Sequence, residues 1–171
     1  MKYLVAIVFT GLAITGTTAH GHGDQHGKDK TFDAASVEQK EFGKAGDPKK
    51  STRTIRLTMD DNMRFTPNAI TVRQGETVKF IVANKGRILH EMVIGTMQEL
   101  QQHAAMMKKF PGMEHDEPHM AHVTPGKSES LVWTFNRPGK FNFACLVAGH
   151  FEAGMTGTIS VAGMNSRTPR H

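Results

Sequence analysis

Cys145 is the sole cysteine among 171 residues, and it opens the run Cys145-Leu146-Val147-Ala148-Gly149-His150-Phe151-Glu152-Ala153-Gly154-Met155. A thiolate, an imidazole and a thioether at five-residue intervals suit a mononuclear copper ion. Soft sulfur ligands favour Cu(I), imidazole accepts both oxidation states, and a trigonal His2Cys set with a distant Met is a copper electron-transfer geometry. That geometry needs one more histidine. His90 is the candidate, because it lies in the strand-like stretch Ile88-Leu89-His90-Glu91-Met92-Val93-Ile94. The bland alternative for a lone cysteine is a small buried thiol with no ligand role.

The elements that must position these side chains are short strands. Ile55, Leu57 and Met59 alternate with Arg56 and Thr58, so one face of a strand is apolar. Ile70 and Val72 repeat the pattern, then Val78, Phe80 and Val82, then Leu131, Trp133 and Phe135. With Ile88–Ile94, Phe141–Cys145 and Gly157–Val161 this makes seven strands, punctuated by turns at Asp60-Asp61-Asn62, Gln74-Gly75-Glu76, Asn84-Lys85-Gly86 and Arg137-Pro138-Gly139-Lys140. Such a series predicts an all-β protein, a Greek-key sandwich or barrel. One segment departs from it. Thr96 with Glu99 three residues on predicts a capped helix to Lys109, with Met97, Leu100, Ala104, Met107 and Phe110 as its apolar stripe. Pro111-Gly112 ends that helix, and the rest of the insertion 96–126 reads as an irregular loop rich in Met and His. Trp133 belongs to the core.

Lys2, the apolar run Tyr3–Ile14 and Thr17-Thr18-Ala19 predict a signal peptide over residues 1–19, and hence export to the periplasm. The apolar run is too short to span a bilayer comfortably, so no membrane insertion is expected after cleavage. Residues 20–52 are polar and read as a flexible segment, with a short helix at Ala34–Phe42 as the alternative. Residues 53–162 form the domain, and 163–171 a tail. The net charge of +5 is spread thinly, with one Trp and one Tyr, which gives no support for nucleic-acid binding. A single exported thiol cannot form an internal disulfide, and metal coordination would protect it. A monomer is expected.

Two stretches resemble the halves of a cupredoxin, the plastocyanin- and azurin-like type 1 copper proteins. The first is Phe65-Thr66-Pro67-Asn68-Ala69-Ile70-Thr71-Val72-Arg73-Gln74-Gly75-Glu76-Thr77-Val78-Lys79-Phe80 with Asn84 and His90. The second is Pro138-Gly139-Lys140-Phe141-Asn142-Phe143-Ala144-Cys145, then His150, Ala153-Gly154-Met155, Gly157 and Ile159-Ser160-Val161. The resemblance implies His90, Cys145 and His150 as equatorial ligands and Met155 as the axial one. Asn84 is either a clamp across the ligand loop or plain turn chemistry in Asn-Lys-Gly. Glu91 stands where many family members carry Asn or Asp, which puts the usual contact from that position to the ligand loop in question.

Further copper-attracting groups lie outside this set. Met113, His115, His119, Met120 and His122 are candidate auxiliary ligands, since thioether and imidazole together hold Cu(I). After cleavage the chain would begin His20-Gly21-His22, with His26 close by, a pattern suited to square-planar Cu(II). These features resemble those of periplasmic copper-tolerance cupredoxins. The leading expectation is therefore an exported protein that handles copper, with one type 1 copper and further copper ions. The alternative is a soluble carrier that shuttles electrons to a periplasmic redox protein. Catalysis is not expected, because a single saturated site offers no open position for substrate.

Overall fold

The computed structural model describes residues 32–113 and 116–164. The segment 1–19 read as a signal peptide, and His20, His22, His26 and His115, lie outside the described residues.

Eleven strands and one α-helix are described. In chain order the strands are β1 (Gln39–Lys40), β2 (Gly43–Ala45), β3 (Arg53–Asp60), β4 (Arg64–Thr66), β5 (Ala69–Arg73), β6 (Glu76–Asn84), β7 (His90–Gly95), β8 (Met120–Val123), β9 (Ser128–Phe135), β10 (Gly139–Ala144) and β11 (Thr156–Ala162). Helix α1 (Met97–Lys109) falls between β7 and β8. One sheet has the order β1-β2-β9-β6-β3-β4 and the other β5-β11-β10-β7-β8. Most neighbours are antiparallel, but β3 runs parallel to β6 and β5 parallel to β11. The two sheets form a sandwich, as the alternating pattern predicts.

The apolar positions read from the sequence do close the core. Ile55, Leu57, Met59, Ile70, Val72, Val78, Phe80, Val82, Leu131, Trp133 and Phe135 are all buried in one cluster. Period-two alternation puts these side chains on the inner faces of the two sheets.

Strand β7 departs from that alternation, for all six of its residues are buried. The reason is a cover on each face. Met92 and Ile94 belong to the inter-sheet core, whereas Val93 packs with Leu100, Ala104 and Met107 of α1. Met120, Ala144 and Leu146 join that second cluster. The helix begins as expected: Thr96 Oγ1 accepts from the Glu99 N–H at 3.2 Å, and Glu99 Oε2 accepts from the Thr96 N–H at 2.9 Å. Its apolar stripe is narrower than expected, since Met97 and Phe110 are exposed.

Three sequence expectations need correction. Within the span read as flexible, Gln39–Ala45 is a β-hairpin whose second strand extends the sheet along β9. The neighbouring Ala34–Ser36 is a single 3-10 turn, not a helix reaching Phe42. Phe42 explains the order: it is buried and stacks on Trp133 with centroids 5.3 Å apart, while its carbonyl accepts the Trp133 Nε1–H at 2.9 Å. Part of the Met/His stretch read as loop is strand β8, paired to β7 with His90 opposite Val123. Finally, β7 starts at His90, and Ile88 and Leu89 ahead of it are exposed.

Candidate metal centre

The site is assembled at one end of the sandwich from two places. His90 is the first residue of β7, and Cys145 follows the last residue of β10. Ala144 pairs with Thr156, so residues 145–155 are the connecting loop of the β10–β11 hairpin. Flanking residues aim the thiol. Ala144 and Leu146 are buried against α1, while Cys145 belongs to the inter-sheet cluster. Residues alternate across a strand, so holding its neighbours on one face turns the sulfur to the other.

The loop is shaped largely by its own backbone. The N–H of Cys145 donates to Met155 O at 3.1 Å, and the N–H of Met155 donates to His150 O at 3.0 Å. The N–H of His150 donates to Val147 O at 2.9 Å. Gly149 and Gly154 adopt φ of 89° and 85°, a region that L side chains rarely enter, so these two glycines are conformational requirements of the loop. Arg64 Nη1 reaches over from β4 to donate to Ala153 O at 3.1 Å.

Three donors converge there. Cys145 Sγ lies 3.2 Å from His150 Nδ1 and 4.0 Å from His90 Nδ1. Among the described residues, these are the one group of three or more His, Cys, Asp and Glu whose ligand atoms all lie within 4.8 Å of one another. Cys145 and His90 are fully buried and His150 is 8% exposed. Met155 is buried in the same cluster as Cys145. Burial disfavours charge on both sulfur and imidazole. It pushes the Cys145 thiol up to about 12, against the opposing pull of the Glu91 and Val147 N–H groups. It also lowers the His150 pKa, as does the neighbouring His90. A neutral imidazole is the form that binds metal. A thiol and two imidazoles converging on a common point fit a soft or borderline metal ion.

Supporting contacts explain how the donors are held. Asp61, read from the sequence only as part of a turn, places Oδ1 3.2 Å from His90 Nε2. Its carboxylate also accepts the Arg87 N–H, at 2.8 Å to Oδ2, and that bond is the main reason its pKa is lowered. A carboxylate on the far nitrogen fixes the ring and leaves Nδ1 as the ligand atom. Asp61→Ala should therefore weaken copper binding by about 10–100-fold, measured by competition with a chelator of known affinity. An unchanged affinity would remove Asp61 from the site. Asn84 combines both of its readings in part. Its Oδ1 accepts the Gly86 N–H at 2.8 Å, which is turn chemistry, while Nδ2 donates to Ile88 O at 2.7 Å and Val123 O at 2.8 Å. It thus clamps the His90 approach to β8 rather than to the ligand loop. Glu91, in spite of its departure from the family pattern, does contact that loop: Oε1 accepts the Leu146 N–H at 2.9 Å.

The candidate auxiliary ligands are placed differently. Met120 is buried in the cluster beneath α1. His119 sits against the rings of Phe42 and Trp133, and burial lowers its pKa to about 4. His122 Nδ1 lies 2.8 Å from Glu91 Oε2. Met113 is exposed. Neither His119 nor His122 belongs to the group formed by His90, Cys145 and His150. Local sequence shows Asp61 only as a turn residue and Phe42 only as the end of a possible helix, and gives no signal for Arg64, because each acts across a long sequence separation.

A two-sheet sandwich that carries one cysteine and two histidines at its end is a cupredoxin. Residues 53–162 match the family model described as copper binding proteins, plastocyanin/azurin family. The chain is 46% identical over 154 residues to the copper-resistant cuproprotein CopI of Rubrivivax gelatinosus, covering 87% of this chain and 91% of that one. It is 36% identical over 149 residues to the copper-resistant cuproprotein CopI of Pseudomonas aeruginosa, covering 70% and 82%. Among solved structures, auracyanin B superposes with a TM-score of 0.59 at 19% identity, covering 70% of this chain and 96% of that one. The reduced auracyanin of Roseiflexus castenholzii superposes with a TM-score of 0.57 at 23% identity, covering 66% and 98%. These two likenesses concern the fold. The chain belongs to the plastocyanin/azurin family of copper-binding proteins, as a cupredoxin of the CopI type.

Proposed function

We propose that this chain is an exported protein of periplasmic copper tolerance that holds copper in a redox-active type 1 site, with Met155 as the fourth ligand beside His90, Cys145 and His150. The observation that carries this reading is the buried thiol with two imidazole Nδ1 atoms beside it, at 3.2 and 4.0 Å. Copper bound there supplies a one-electron couple between Cu(I) and Cu(II). The chain's part is to keep the donors still: the β10–β11 loop is closed by its own hydrogen bonds, and His90 is fixed from behind by Asp61. The copper-resistant naming of the CopI relatives supports the tolerance role, and the Lys2 to Ala19 pattern supports export. Among the described residues, no helix is long and apolar enough to cross a membrane. We read the site as binding rather than catalytic, because four protein ligands leave no position for a substrate.

Deletion of the gene should make its host sensitive to copper. The wild-type gene should restore growth and a Cys145→Ser gene should not. Undiminished growth of the deletion strain in copper would overturn the tolerance role. Copper stoichiometry separates this reading from a plain electron carrier: more than one copper per chain fits handling, and a single copper fits a carrier.

A further inference from the structure

A second pair of imidazoles lines a cavity of about 80 Å³ bounded by the β1–β2 hairpin, β7, α1 and the approach to β8. Phe42 and Leu100 give it apolar walls, and Lys40, Glu99, His103 and His119 are its polar lining. His103 stands one turn after Glu99 on α1, so the two share a side of the helix. His119 comes just before β8, where its carbonyl accepts the Ile94 N–H at 3.1 Å. Its ring meets those of Phe42 and Trp133 edge-on, with centroids 5.5 and 5.9 Å away. Nδ1 of His119 is enclosed by protein with no hydrogen-bond partner among the described residues, and Nε2 of His103 is enclosed as well. A buried polar atom without a partner is rare, and an ion or a water is its usual explanation. The cavity has room for either.

The donor set narrows the choice of ion. Imidazole nitrogen suits both copper and zinc. Structural zinc takes four ligands, yet among the described residues no carboxylate, thiolate or further imidazole joins these two rings in a compact group. Cu(I), with a filled d shell, is satisfied by two nitrogen donors. A single positive charge is also the least costly one to place against apolar walls. Lys40 is the one fixed cation in the lining, and its Nζ is paired with Glu38 Oε2 at 2.8 Å. Glu99 brings a negative charge to the same cavity, and its Oε2 is fixed there by the Thr96 N–H at 2.9 Å and the Thr96 hydroxyl at 2.7 Å.

We propose that His103 and His119 form a second copper site, which takes Cu(I) between Nε2 of His103 and Nδ1 of His119. The inference deepens the copper-handling reading, on which it rests for the identity of the ion; the type 1 ligands play no part in it. An ion held by these two rings joins α1 to the start of β8, so loading should raise the melting temperature as well as fill the site.

The test uses the full-length exported protein carrying Cys145→Ser, titrated with Cu(I) in the absence of oxygen against a chromophoric chelator. NMR of the ring nitrogens is the second readout. Cu(I) should move the His103 Nε2 and His119 Nδ1 resonances together. His103→Gln and His119→Gln, each in that background, should lose one Cu(I) per chain or bind it about 100-fold more weakly. Other thioethers and imidazoles contribute equally to parent and variants, so the difference reads this site. Ring resonances that stay in place while Cu(I) binds would overturn the proposal. So would variants that bind as much Cu(I) as their parent, with affinity within twofold, or Zn(II) that displaces Cu(I) from these rings. Should His119→Gln fail to fold, His103→Gln decides alone. Failure of the copper-handling reading shows separately, as undiminished growth of the deletion strain in copper.

Discussion

Cys145→Ser should abolish the intense visible absorption of the copper-loaded protein and weaken copper binding by more than about 100-fold. Loss of a supporting contact to a ligand already costs about 10–100-fold, and this change removes the ligand. The serine oxygen is a hard donor, poorly matched to Cu(I), and it is less willing to ionise than a thiol. The copper-free fold should survive the change. A hydroxyl in place of the buried sulfur costs on the order of 1–3 kcal/mol when it finds no partner, and His150 Nδ1 is close by to provide one. Titration with copper, followed by absorption and by competition with a chelator, reads both effects. A visible band that persists in the serine variant would show that the thiolate is not a ligand.

Acid–base behaviour of the same residue gives that experiment a second axis. In the metal-free fold the Cys145 thiol is raised from 9.0 to about 12, chiefly by burial. The metal binds the thiolate, so loading must release this proton, and the thiol alone should make affinity rise about tenfold per pH unit below its pKa. The sign for folding is opposite. A raised pKa means that the folded state favours the protonated thiol. That contribution is complete below pH 9, and it is lost as pH rises through about 12. Copper-free wild-type protein should therefore weaken in alkali, while copper-loaded protein gains affinity. Both slopes should flatten in the serine variant.

The readable parts of this molecule are those whose signal is local. Alternation at Ile55, Leu57 and Met59, or at Leu131, Trp133 and Phe135, marks a buried face because a strand reports its inner side every second residue. The Thr96–Glu99 capping box is equally local. The loop 145–155 is legible in part, since Cys145 and His150 lie within one short run and the fold does bring both beside His90, and Gly149 and Gly154 adopt positive φ there. What escaped is what depends on partners far along the chain. Asp61 lies 29 residues from His90, and nothing in Asp60-Asp61-Asn62 separates a turn from a ligand support. Met120–Val123 looked irregular because its apolar residues do not alternate: one face of β8 meets α1, and the other meets the sandwich. The composition of residues 32–52 is polar enough to suggest disorder, and a single aromatic overrides it.

That aromatic supports the other large effect. Phe42→Ala should cost about 3–5 kcal/mol of stability, the usual range for deletion of a buried phenyl ring. The ring is 2% exposed and stacks on Trp133 at an interplanar angle of 19°, and such a pair adds about 0.5–1.5 kcal/mol beyond its burial. The rest of the hairpin's hold is polar, including the Trp133 Nε1–H bond to Phe42 O and the Gly46 N–H bond to Val132 O, both 2.9 Å. Strand β2 pairs with β9 at two positions, and the Gln39 and Asn136 side chains bond each other at the surface. Loss of the ring should therefore release β1 and β2 from the sheet edge while β3–β11 keep their pairing. The vacated space adjoins His119, whose pKa is held near 4 mainly by burial. A lowered pKa means that the fold favours the neutral ring, so this contribution is present above about pH 6.5 and is lost as pH falls toward 4. Water admitted by Phe42→Ala should lift that pKa toward its usual value and shrink the acid-induced loss. Urea unfolding at pH 7 and pH 5 measures both effects. Retention of the copper band in the variant would show that the hairpin stabilises the fold without shaping the site. A stability loss below about 1 kcal/mol would mean that the hairpin is an appendage and that the domain begins at β3.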